Sequence, residues 1–218
     1  FDNNFVIDNK FYTIIHSHLL EHLYDPLQFF KDLSRTKYLT KLIFSIPNLH
    51  EMLIRKYTNC LNFEHTIFIT EPLIEFLLST HGFEIVNKEY YKEDHSIFYN
   101  CLKTNKIKTI NLPKDFYQKN KSIFIEYINY HKKLTIELNN YIKQNKSKIF
   151  LFGAHIFSQY LLEFGLNFNK IDCILDNDKA KQGKRLYGSD LFVKSPKILK
   201  NIDQPIVILK AGTYNDEI

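Results

Sequence analysis

The 218-residue chain has no tryptophan, one methionine, Met52, and three cysteines, Cys60, Cys101 and Cys173. The cysteines are odd in number, far apart and without a CxxC pair, so neither a zinc knuckle nor a redox motif is indicated, and reduced thiols are expected. Long apolar runs are missing too. The longest, such as "KIFLFGAHIF", fall far short of the roughly 20 residues of a membrane-spanning helix, and no signal-peptide pattern opens the chain. A soluble cytoplasmic protein with no membrane partner is the expectation.

What is present is ample core material, with 44% hydrophobic and 15% aromatic residues, enough for one large domain or two small ones. The net charge of +5 is uneven. Lys103 to Lys148 carries eleven lysines against Asp115, Glu126 and Glu137, a local +8 that leaves about −3 elsewhere. A lysine stripe confined to one helical segment reads as a solvated face, and no aromatic-basic motif accompanies it, so no nucleic-acid partner is expected. With Phe1 entering almost directly into a strand and "TYNDEI" reading as the start of a helix, the chain looks like a segment of a longer protein.

Along the chain, "FYTIIH" is a short β-rich run, and "LLEHLYDPLQFFKDLSR" repeats apolar residues at helical spacing. "KLIFSIP" reads as a buried strand of a parallel sheet. In "TEPLIEFLLSTHGF" Thr70 suits an N-cap, Pro72 the first turn and Gly82 the C-terminal stop. "FEIVNKEYY" and "HSIFYNCLK" follow as antiparallel neighbours. A long helix is predicted over 115–145, with Phe116, Phe124, Tyr127, His131, Leu134, Leu138 and Tyr141 as its apolar stripe. "SKIFLFGAHIFSQYLLEFG" then gives strand, glycine turn and helix, and two further strands follow in "KIDCILD" and "QPIVILKAG". The fold class is α/β: the second half of a doubly wound Rossmann-like sheet, a bridging helix, and a second Rossmann-like βαβ domain. The expected boundaries are 1–103, 104–145 and 146–218.

Ligands of open parallel sheets bind at the carboxyl ends of strands. His16, Ser17 and His18 end the first strand, and His22 lies one helical turn past His18. A metal at this pair would need a third ligand, none stands at suitable spacing, and none is expected. Glu64 and His65 follow the "FSIP" strand on the same side of the sheet, either as a loop ion pair with Arg55 or Lys56 or as a base and the carboxylate that orients it. Gly153, at the strand-to-helix turn, would aim backbone N–H groups at an anion, although "GAHIFSQ" has one glycine where a dinucleotide fingerprint has three. Asp176 and Asp178 close the next strand, as ribose acceptors or as a surface turn.

The segments "IIHSHLLEHLYDPLQFFKDLSR", "LIFSIPNLHEML" and "FEHTIFITEPLIEFLLSTHGFEIV" resemble the second half of a class I S-adenosylmethionine-dependent methyltransferase. "LFGAH", "ILDNDKAKQGKRLYG" and "VKSPKIL" resemble the C-terminal domain of the sugar C-methyltransferase family, whose members methylate a carbon of a nucleotide-linked keto-sugar. The resemblance implies S-adenosylmethionine as cofactor, with a glycine-rich loop, a ribose acid and zinc-binding cysteines upstream of Phe1. Glu64 and His65 match the last two positions of the family's Tyr-x-Glu-His motif, and Asn62 stands where the tyrosine would be. His22 matches a histidine near the substrate. The resulting expectation is methyl transfer to a small polar acceptor, a nucleotide-linked sugar or surface-glycan precursor. His65 is then the base, Glu64 its orienter and His22 the polarising group. His16, Ser17 and His18 line the cofactor side, and Asn62, Gly153, His155 and Asp176 face the substrate. The alternative is a non-catalytic nucleotide-sugar-binding protein on a degenerate methyltransferase fold.

Overall fold

Strand β1 (Thr13–Ser17) pairs in parallel with β2 (Lys41–Pro47), which pairs antiparallel with β4 (Ser96–Lys103), and β4 in turn with β3 (Phe83–Tyr91), giving the order β1-β2-β4-β3. This computed structural model describes residues 10–218 apart from 63, 93, 105, 109, 212–214 and 217. The strand expected at Phe1 lies outside the described residues, as does part of the helix expected at "TYNDEI".

Period-two alternation puts Leu42, Phe44 and Ile46 of β2 beside Cys101, Tyr99 and Ile97 of β4 on one face. Helices α1 (Pro26–Arg35) and α3 (Glu71–Thr80) cover that face with Phe29, Phe30 and Leu33, and with Ile74, Leu77 and Leu78. Each such side chain contributes on the order of 1.5–3 kcal/mol when fully buried. Three rings in lateral register, His16, Phe44 and Tyr99, stack across β1, β2 and β4 at 5.2 and 4.9 Å between centroids.

The helical spacing that begins at Leu19 does not give one helix. Leu20–His22 forms a 3-10 turn, and α1 starts only at Pro26, where Asp25 caps the N–H of Gln28 at 2.8 Å and proline occupies the first turn. Thr70 precedes α3 as expected, but its hydroxyl makes no cap bond. Gly82 is required twice over: its φ is +77°, and a Cβ there would lie 2.8 Å from the carbonyl oxygen of Thr104. A short helix α2 (Leu49–Ile54), not anticipated from the sequence, follows β2.

The second sheet is parallel throughout, in the order β7-β6-β5-β8, from β5 (Ile149–Phe152), β6 (Cys173–Leu175), β7 (Val193–Lys194) and β8 (Ile206–Leu209). Ile149, Leu151, Ile174, Val193 and Ile208 form its core with Ile142 of the long helix α4 (Phe116–Gln144) and Leu161 of α5 (Ile156–Glu163). The stripe of α4 is rotated from the expected one. Tyr127, His131, Thr135 and Ile142 are buried, whereas Phe124 and Tyr141 are exposed. Thr135, polar by type, earns its buried place by bonding the carbonyl of Phe164 at 2.8 Å.

Packing divides the chain into two units, one holding the chain up to Met52 with Leu61–Asn120, the other Leu53–Cys60 with Lys121–Ile218. The helix read as a bridge therefore carries most of its length in the second unit, which also takes a short piece from the first half of the sequence. No helix among the described residues is long and apolar enough to cross a membrane, and Cys60, Cys101 and Cys173 are buried and joined in no disulfide.

Candidate active site

In the first unit, the loop before α3 is tied to the 3-10 turn after β1. The N–H of Thr66 donates to the carbonyl of Glu21 at 2.8 Å, and its hydroxyl reaches the carbonyl of Leu23 at 2.7 Å. His22 Nδ1 lies 2.9 Å from the carbonyl oxygen of Glu64. Because the carbonyl can only accept, His22 carries its proton on Nδ1 and presents Nε2. These bonds bring His22 and His65 edge to face, 4.9 Å between ring centroids.

The carboxylate that meets the two imidazoles is Glu21. One of its oxygens and one ring nitrogen each of His22 and His65 lie within 4.8 Å of one another, beyond hydrogen-bond distance but near enough for their charges to interact. Glu64, expected to orient His65, has an exposed side chain and contributes its backbone carbonyl instead. Glu21 is 4% exposed, and neither carboxylate oxygen has a well-directed hydrogen bond among the described residues. Its nearest charge partner is His18 Nδ1, 3.2 Å from Oε1. Burial alone would raise its pKa, but His18 and the field of His65 together bring it below the ordinary glutamate value. His65 is half-buried, and burial lowers its pKa; Glu21 pulls it upward, His22 and His18 push it down, and Glu64 raises it least.

Of the residues expected on the cofactor side, His16 sits within the aromatic stack, its edge against Phe29, and both ring nitrogens are buried without a partner among the described residues. Burial pushes its pKa down to about 4, so it is neutral at pH 7. Ser17 is exposed, with its hydroxyl 2.8 Å from that of Ser45. His18 adopts a left-handed φ of 48°, which turns its ring toward Glu21 on one side and Ser96 Oγ, at 2.9 Å, on the other. The imidazole of His16 is thus committed within the fold, while Ser17 and part of the His18 ring reach the surface. Asn62 holds its loop, its side-chain oxygen accepting from the N–H of Glu64 and its carbonyl from that of His65.

In the second unit, Gly153, His155 and Asp176 gather at the carboxyl ends of β5 and β6. Gly153 has φ +99° and open space where a Cβ would stand. Asp176 accepts the N–H of Ala154 and of Asp178, each at 2.8 Å, and Lys181 Nζ at 3.3 Å. Burial tends to raise its pKa, but these bonds hold it below the ordinary aspartate value. Asp178 caps the N–H of Ala180 at 2.8 Å. His155 is the residue before α5, and its side chain makes no cap bond.

A family model, the C-methyltransferase C-terminal domain, matches residues 110–218, half of the chain. The chain belongs to this family. No curated protein matches it. The matched residues include α4 and the whole second sheet, so Gly153, His155 and Asp176 stand inside the family domain, while Glu21, His22 and His65 stand outside it. Membership in a C-methyltransferase family supports a methyltransferase role and implies a methyl donor.

Glu21 was missed by sequence reading although it sits in the quoted "LEH" run. The available signal was the adjacency of an acid to two histidines after a strand. The metal pair weighed from spacing was His18 and His22, whereas the fold groups His22 with Glu21 and His65.

Proposed function

We propose that the chain takes part in methyl transfer from S-adenosylmethionine to a small polar acceptor, a nucleotide-linked sugar or surface-glycan precursor. The first sheet is then the second half of a doubly wound methyltransferase sheet. The observation that carries this reading is the convergence of Glu21, His22 and His65 beside the carboxyl end of a parallel strand, in a chain of C-methyltransferase membership. S-adenosylmethionine would supply an electrophilic methyl group on a sulfonium. The acceptor carbon or oxygen forms the new bond to methyl, the carbon–sulfur pair stays on sulfur, and the acceptor's proton passes to a ring nitrogen of His65. A burial-lowered pKa keeps that imidazole neutral and ready to accept at pH 7. His22, with its proton fixed on Nδ1, offers Nε2 to an acceptor hydroxyl.

The test is to incubate the full-length protein with cell extract and isotopically labelled S-adenosylmethionine, and to follow small molecules that gain one labelled methyl group by mass spectrometry. The expected product is a methylated sugar derivative. Absence of any labelled product, with a nucleotide-sugar retained by the protein, would support the binding-module alternative. That alternative draws on the second sheet, where β6 and β8 flank β5 and leave Gly153 without a side chain at the strand end.

A further inference from the structure

Glu21 is placed by a chain of contacts that reaches across the first sheet. His95 Nδ1 lies 2.6 Å from Ser96 Oγ, Ser96 Oγ lies 2.9 Å from His18 Nε2, and His18 Nδ1 lies 3.2 Å from Glu21 Oε1. His18 and Ser96 are 78 positions apart and meet because the N-terminal end of β4 pairs with the carboxyl end of β2, beside β1. The donors in this chain can be assigned. An imidazole nitrogen facing a carboxylate carries its proton, so His18 is protonated on Nδ1 and accepts from the Ser96 hydroxyl on Nε2. Ser96 Oγ, having donated its own proton, accepts from His95 Nδ1. The donors therefore run from His95 through Ser96 to His18, whose Nδ1 stands at ion-pair distance from Glu21 without a well-directed hydrogen bond, and this favours a carboxylate over a carboxylic acid.

We propose that Glu21, oriented by His18, Ser96 and His95, is the anionic partner that stabilises protonated His65, the role assigned to Glu64 by motif. The inference rests on the reading of His65 as proton acceptor. Glu21 is a positioning residue rather than a catalytic one, because its carboxylate oxygens are shielded from solvent and so from an acceptor. Burial alone would disfavour this anion, and His18 together with the field of His65 outweighs that cost. The anion becomes useful when a neighbouring imidazole turns cationic, since Coulomb attraction across a few ångströms is weakly screened there. The groups facing His65 are Glu21, His22, His18 and Glu64, with the ring of Phe68 at 6.5 Å. Only Glu21 among them combines negative charge with burial. Tyr91 packs on His95 at the outer end, and Lys92 and Asp94 lie near it, of opposite sign to each other.

The experiment is an NMR pH titration of the histidine ring signals in the labelled protein, without donor or acceptor. Glu21→Gln should lower the pKa of His65 by about one unit or more, the size expected for losing an opposite charge at this range. Glu64→Gln should shift it by less. Ser96→Ala should change the tautomer signature of His18 and lower the His65 pKa by an intermediate amount. A larger effect from Glu64→Gln than from Glu21→Gln, or no effect of Glu21→Gln in a variant whose thermal unfolding matches wild type, would overturn the proposal. If Glu21→Gln does not fold, the Ser96→Ala and Glu64→Gln comparison decides by the same criterion: an unmoved His65 in Ser96→Ala overturns it. Titration with zinc alone is the remaining arm. Saturable binding lost in both Glu21→Gln and His22→Ala would make the cluster a cation site and also overturn it. Since none of these readings uses methyl transfer, failure to find a methylated product leaves them separately interpretable.

Discussion

At the carboxyl end of the first sheet a buried acid, Glu21, faces two imidazoles with its oxygens poorly bonded; at the carboxyl end of the second, Asp176 has two backbone N–H groups and a lysine on it. Both are acids near strand ends, where a nucleotide-binding sheet is expected to work. The difference lies in what their oxygens already hold. Asp176 fixes the turn between β5 and α5 by accepting from Ala154, and it joins that turn to its own strand end. Its bonding capacity is largely filled by the fold. Glu21 has capacity left over, turned toward groups that can change charge. A strand-end acid is therefore better read by its hydrogen-bond partners than by its position.

The largest expected effect is on turnover. If His65 is the base of the proposed methyl transfer, His65→Ala should lower the rate about a hundred- to ten-thousand-fold, the range for loss of a general base, with folding little changed. Rate per folded molecule and thermal stability, measured together, check it. A destabilised variant with full turnover would make His65 part of the scaffold.

Acid should separate the two regions by pH window. His16 is neutral when folded down to about pH 4, while in the unfolded chain it takes a proton near 6.5. The unfolded state thus binds more protons between these values, and stability falls as pH drops through 6.5 and levels near 4. The full difference is about 3 kcal/mol. His16→Phe should remove this slope, measured as the difference between wild-type and variant denaturation at pH 7 and pH 4.5. Asp176 has a lowered pKa, so its contribution is complete above the ordinary aspartate value and is lost only as pH falls from there through its folded value. A slope unchanged in His16→Phe would place the acid sensitivity elsewhere.

Asp176→Ala should cost about 2–3 kcal/mol, since it strips bonds from two backbone N–H groups and a lysine. Glu21→Gln should also cost stability at pH 7, because a carboxylate held below its ordinary pKa is stabilised by the fold in its charged form, but it should cost less than Asp176→Ala, because no directed hydrogen bond to its oxygens is lost. Chemical denaturation of both variants gives the two numbers directly. Equal costs would erase the distinction between scaffold acid and poised acid.

The sequence carried the element order well because periodicity reports burial: "KLIFSIP" and "HSIFYNCLK" became adjacent strands of one sheet. It overextended the first helix because apolar spacing at Leu19, Leu20 and Leu23 continues smoothly across Asp25–Pro26, where capping restarts the helix. Of the site, His22 and His65 were legible through motif, and the fold brings them together. Glu64 was named for adjacency in sequence, but consecutive residues in a loop point different ways, and the acid across the gap is Glu21. His16 does stand at the end of its strand, and strand alternation turns its ring into the aromatic stack. Asp176 matched a ribose-binding position, and no spacing rule announces the two backbone N–H groups and the lysine that its oxygens hold. Pairings across 43 positions, such as Thr66 to Leu23, have no local signature.

That last contact supplies the smallest expected effect. Thr66→Val keeps the shape and β-branching of the side chain and removes only the hydroxyl that reaches the Leu23 carbonyl; the backbone bond from Thr66 N–H to Glu21 remains. The cost should be about 1 kcal/mol, the net worth of one neutral hydrogen bond at a partly exposed site. Its use is to ask how the first site is assembled. If the loop is held to the 3-10 turn by Thr66, the variant should weaken the influence of His22 on His65, while Asp176 in the second unit continues to hold its turn unaided. The pKa of His65 by NMR, with stability from denaturation, reads the two consequences separately. An unmoved His65 pKa at a loss of about 1 kcal/mol would mean that the His22 bond to the Glu64 carbonyl suffices to close the site. A shifted one would make Thr66 its latch.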